Sequence, residues 1–125
     1  SSDEKRQSPR KQCSLPAVMF SRQNGARIFH NSTIVNISSS SMQILLKTPN
    51  LHHDFDIAFE ILFSLPNYDH PMLLPCRFVR AGHLHDETMI VAHFECTDSL
   101  EEFFVSQFLT SGNLTADYTN KKKQR

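Results

Sequence analysis

The chain has 125 residues, a hydrophobic fraction of 39%, ten Phe, no Trp and a formal net charge of zero. That length supports one modest domain with one core rather than two, and the apolar content excludes a disordered polymer. The neutral total argues against binding of a nucleic-acid polymer through bulk charge. Three cysteines, an odd number with no CxxC pair, leave no disulfide framework and no four-cysteine zinc site. Neither a secretory signal nor an apolar run of membrane-spanning length is visible, so a cytoplasmic setting without membrane insertion is expected. A chain that opens on Ser1 reads as a processed protein or a segment of a longer one.

In chain order, residues 1–12 read as a mobile basic arm, with Lys5, Arg6, Arg10 and Lys11 and no apolar periodicity. Residues 13–112 read as the folded domain. A first strand is predicted over Ala17–Arg22, and Asn24-Gly25 after it is a strong hairpin signal. "RIFHNSTIVNIS" resumes the strand pattern, and "MQILLK" from Met42 adds another strand. The serines between them, Ser38 to Ser41, read as a turn, because strands flank them closely and two separated fragments would be too small to fold. "TPNLHHDF" breaks the pattern at Pro49 and reads as a loop. "DIAFEILFSL" alternates, with Ile57, Phe59, Ile61 and Phe63 on one face. "MLLPCRFVRAG" follows a proline-rich turn, and its Pro75 implies an edge position or a bulge. "TMIVAHFE" completes roughly six strands, which suits a small antiparallel barrel or sandwich. Ser99-Leu-Glu-Glu102 has capping-box form, Leu100, Phe103, Phe104 and Phe108 share a helical face, and Gly112 is a reasonable stop. Residues 113–125 read as a polar, basic, frayed tail.

Two short constellations carry chemistry. "RQSPR" sets Arg6 and Arg10 four residues apart, flanked by Lys5 and Lys11. Guanidinium groups bind phosphate through paired charge-assisted hydrogen bonds and stack on flat bases; the alternative is a solvated basic tail. At the end of a strand, period-two alternation puts Asn36 and Ser38 on one side with Ile37 inward. Their amide and hydroxyl could read a base edge, or could simply satisfy a turn.

Taken in this order and at this separation, "RQSPR" and "NISSSS" make the chain resemble the PilZ domain family, whose signature is RxxxR followed by [D/N]xSxxG. The resemblance runs from about Lys5 to Leu109. It implies an all-β fold, a six-stranded antiparallel β-barrel with a C-terminal amphipathic helix. It also implies a bacterial receptor for cyclic di-GMP, usually bound as an intercalated dimer of the dinucleotide. By position, Arg6 and Arg10, flanked by Lys5, would grip phosphates and guanine faces, and Asn36 and Ser38 would contact a guanine. Ligand would order the arm against the barrel and so signal to a downstream protein partner or a further domain of a longer chain. The departure is Ser41, which stands where the family has Gly. A site needing positive φ would cost a serine about 1 kcal/mol. The alternative reading is a degenerate barrel that binds no nucleotide and acts as a protein–protein adaptor.

Arg80, in the strand after Pro75, could add a phosphate contact from the barrel wall, or be a solvated strand residue. The seven histidines, including His83-x-His85, read as surface residues without a third ligand, so no metal is expected. No phosphate-binding glycine loop, GxSxG elbow or HExxH helix occurs, so the chain is not expected to be an enzyme.

Overall fold

In the computed structural model, residues 10–23, 25–47 and 57–124 are described. Lys5 and Arg6, like the loop at Pro49, lie outside the described residues. The elements in chain order are β1 (Lys11–Gln23), β2 (Ala26–Ile37), β3 (Ser41–Leu46), β4 (Ala58–Phe63), β5 (Met72–Leu84), β6 (Glu87–Phe94) and α1 (Ser99–Gln124). The strands form a closed antiparallel barrel in the order β1-β2-β3-β6-β5-β4, with β4 pairing back onto β1. This is the six-stranded barrel with a C-terminal helix that the strand count and the family resemblance imply.

Alternation drives the closure. Met42, Ile44 and Leu46 in β3, Phe59, Ile61 and Phe63 in β4, and Met72, Leu74 and Cys76 in β5 all point into the barrel and are buried. Closure also removes the open edge that an antiparallel sheet would otherwise offer to other chains. The β1–β2 hairpin turns at Gly25, whose φ of 83° is the left-handed conformation a two-residue turn requires. β1 begins at Lys11, well before the predicted Ala17, because its pairing with β2 continues past a register shift between Gln12 and Leu15.

Pro75 is not in a bulge but takes the edge position its sequence implies, locally, where the strand on one side has ended. It pairs with Glu60 of β4 one residue beyond the last β5–β6 pair, Cys76 with Phe94. Its carbonyl accepts the Glu95 N–H, so its missing N–H faces the β6 side where that strand has ended.

The helix differs from expectation in three ways. Its cap is Asp98, not Ser99: Asp98 Oδ1 accepts the Glu101 N–H at 2.8 Å, and Glu101 Oε1 reaches back to the Thr97 N–H and hydroxyl, both at 2.7 Å. The buried face is Val105, Phe108 and Leu109, while Leu100 and Phe103 are each 52% exposed. Phe104 is half-buried and stacks on Tyr68 with centroids 4.2 Å apart. Finally, the helix continues through Gly112 to Gln124, where a frayed tail was expected. A glycine in a helix interior weakens it by about 1 kcal/mol but does not forbid it. No described helix is long and apolar enough to cross a membrane.

Candidate ligand groove on the barrel wall

Four consecutive strands, β2, β3, β6 and β5, form one wall of the barrel. Their register lines up a row of neighbours, Asn36 with Gln43, Gln43 with Val91, and Val91 with Arg80. Beside it runs a second row, Ser41 with His93 and His93 with Arg77. Gln12 extends the first row on the side of the arm, since it pairs with Asn36.

Both ends of the first row owe their position to a bulge. Strict alternation from the buried Ile34, opposite Ile44, would set Asn36 opposite Met42 and inward. Val35 is one residue too many, so Asn36 falls opposite Gln43 instead. The same happens in β5. Phe78 pairs with the buried Ala92, and unbroken alternation would set Arg80 inward opposite Ile90; the extra Val79 puts it opposite Val91 and exposed.

The result is a groove of about 260 Å³ on the outer wall. Arg10, which immediately precedes β1, lines one side with Asn36, and Arg80 lines the other with Val79. Ser41, Gln43, Val91 and His93 line it between them. Among the described residues no carboxylate lines the groove. Among the described residues neither Arg10 nor Arg80 makes an ion pair. Two guanidinium groups, two amides and an imidazole over a valine floor suit a ligand with anionic groups and flat polar rings.

Of the residues singled out from the sequence, the structure brings Arg10, Asn36, Ser41 and Arg80 together. Ser38 stands apart from them. It is buried, and its hydroxyl is taken up by the turn: 2.9 Å from Ser41 Oγ, accepting the Ser41 N–H at 3.1 Å and the Ser40 N–H at 3.3 Å. The Ser38 N–H donates to the Ser41 carbonyl at 2.8 Å, and the Ser40 carbonyl accepts the Phe94 N–H at 2.9 Å. The four serines are thus a hydrogen-bonded turn fastened to β6. Ser41 carries no backbone penalty, because His85 is the non-glycine residue with positive φ among those described.

Gln43, Val79, Val91 and His93 were not singled out as groove residues from the sequence. Gln43 and Val91 were within reach, since both alternate with buried neighbours in their strands. Their meeting with Arg80 depends on register and bulges that the sequence does not mark.

The arm also touches the helix. Lys11 Nζ donates to the Phe108 carbonyl at 3.0 Å and lies 3.9 Å from the centroid of the Phe108 ring. The residue next to groove-lining Arg10 is therefore fixed to α1. Elsewhere, no group of three His, Cys, Asp or Glu residues that could hold a metal occurs among the described residues. The three cysteines are unpaired thiols.

No family model and no curated protein matches the sequence. Solved structures do match. The PilZ domain of YcgR from Escherichia coli with c-di-GMP has a TM-score of 0.67 at 12% identity, over 94% of this chain and 98% of that one. The Bacillus subtilis inhibitor of motility MotI/DgrA has a TM-score of 0.67 at 16% identity, over 88% of this chain and 52% of that one. The K. pneumonia MrkH–c-di-GMP complex has a TM-score of 0.65 at 18% identity, over 90% and 53% respectively. The chain therefore spans about half the length of the inhibitor of motility and of MrkH. At these identities the likeness is one of fold, and the fold is that of a PilZ domain.

Proposed function

We propose that this barrel is a receptor domain for cyclic di-GMP, with the basic arm closing over ligand held on the β2-β3-β6-β5 wall. The supporting observation is the convergence of Arg10, Asn36, Ser41 and Arg80 on one groove that no carboxylate lines among the described residues. Arg10 and Arg80 supply phosphate contacts from opposite sides, with Lys5 and Arg6 joining from the arm. Asn36 presents a donor and an acceptor to a guanine edge. Ser38 serves this site by holding the turn that positions Ser41. Guanidinium groups that pair with phosphates and stack on guanines suit an intercalated dinucleotide dimer, with its four phosphates, as the bound species. The structures of YcgR and MrkH with c-di-GMP, on the same fold, support the choice of ligand.

Ligand-dependent Arg–phosphate contacts make the arm a two-state element, and Lys11 gives that element a physical connection to α1. The receiver is a partner protein or another domain of a longer chain, and the domain itself performs no catalysis.

Isothermal titration with cyclic di-GMP tests the reading. Saturable binding with thermal stabilisation is expected, and both are lost or much weakened in Arg10→Ala. No heat and no stabilisation at high micromolar ligand would refute it and favour an adaptor that binds no nucleotide.

A further inference from the structure

We propose that His93 is a proton-coupled anion contact of this groove, so that dinucleotide binding takes up a proton near neutral pH and tightens as pH falls. The inference rests on the receptor reading above and adds to it a residue and a mode of regulation.

His93 occupies the middle of the second row, with Ser41 of β3 on one side and Arg77 of β5 on the other. Its side chain is exposed and lines the groove. On its own strand Val91 precedes it on the same face, and Glu95 lies two residues further on, exposed beyond the strand's end. Among the described residues, the charged groups around the imidazole are therefore Arg77 beside it, Arg10 and Arg80 across the groove, and Glu95 beyond it. Asn36, Gln43 and Ser41 are neutral.

Arginine stays protonated throughout the physiological range, and amides and hydroxyls do not titrate there. The phosphodiesters of a cyclic dinucleotide stay ionised. Imidazole is the group whose charge changes between about pH 5 and 8. Beside a phosphate the cationic form of an imidazole is favoured. An anionic ligand laid across the groove favours that form, and the proton follows the ligand. Linkage then requires affinity to rise as pH falls, by at most about tenfold per pH unit for one coupled proton.

The test is calorimetric titration of the chain with cyclic di-GMP at about pH 6 and about pH 8, each in two buffers of different ionisation enthalpy. Expected are heats that depend on the buffer, net proton uptake, and a Kd lower at the acid end by roughly three- to tenfold or more. His93→Gln should bind with a flat pH profile and buffer-independent heats, and, as an exposed substitution, should melt like the parent. Binding by the parent that is flat in pH and independent of buffer would overturn the proposal and leave the receptor reading intact. A pH slope that persists in His93→Gln would overturn it as well. No binding at either pH would overturn the receptor reading and this inference together.

Discussion

Replacing Ser38 by Ala removes a single oxygen and should loosen the whole turn between β2 and β3. That oxygen accepts the backbone N–H groups of Ser40 and Ser41 and bonds the Ser41 hydroxyl, all within 3.3 Å. Ser40 is exposed, so its N–H can turn to water; Ser41 is half-buried and its N–H is less easily rehydrated. A net contribution of about 1 kcal/mol for each of one or two bonds, plus part of the penalty for a stranded donor, comes to roughly 1.5–2.5 kcal/mol. At about 4 °C per kcal/mol for a domain of this size, Tm should fall by roughly 6–10 °C. Urea unfolding followed by circular dichroism measures the loss directly, and an unchanged m-value would show that the denatured state is not responsible. Amide hydrogen exchange at Ser40 and Ser41 should accelerate in the variant. A loss below about 0.5 kcal/mol, with exchange at those amides unaltered, would refute the claim that the hydroxyl holds the turn.

Arg80→Ala should leave stability within about 0.5 kcal/mol, because the side chain is exposed. It should weaken cyclic di-GMP binding by roughly ten- to a hundredfold, the scale of one charge-assisted phosphate contact, as read by calorimetry. Lys11→Met keeps the apolar stem beside Phe108 but loses the bond to its carbonyl, so a destabilisation of about 1–2 kcal/mol is expected in urea unfolding. Burial pushes the Cys76 thiol up to about 12 and, with help from Glu101, Glu102 and Asp98, the Cys96 thiol up to about 11. A raised value means less thiolate at pH 8, so iodoacetamide should label native protein slowly, with Cys76 the slowest of the three by mass spectrometry. Labelling of Cys76 at the rate of a free thiol would contradict its burial.

The barrel was legible because strand signals are local. β-branched and aromatic residues alternating around Ile61 or Ile90 report a buried face without reference to any other part of the chain. The helix was legible in kind but not in detail. Four apolar residues at helical spacing include Leu100 and Phe103, and only packing reveals that Val105, Phe108 and Leu109 are the ones that meet the barrel. The cap moved by one residue because Asp98 and Ser99 are both good N-cap types, and the Glu101 contact to Thr97 decides between them. At the groove, the spacing of the two motifs singled out Arg10 and Asn36, yet alternation counted on from Ile34 and from Phe78 would turn Asn36 and Arg80 inward, and only the two bulges turn them out. Ser38 illustrates the reverse limit. A hydroxyl at a strand end looks the same in sequence whether it faces a ligand or its own backbone, and only the turn geometry tells the two apart.

Val35 and Val79 have a consequence for how this wall can change. Each is a one-residue excess that shifts the phase of everything after it, so the polarity of the surface is stored in chain length as well as in residue type. Exchanging either valine for another small apolar residue leaves the phase untouched. If a strand slipped to absorb its bulge, Asn36 would turn inward opposite Met42, or Arg80 inward opposite Ile90. A position-by-position comparison that spaces β2 and β5 evenly would then set a core residue of one chain against a groove residue of another. Insertions and deletions of single residues, more than substitutions, are the changes by which such a barrel could gain or lose a polar groove.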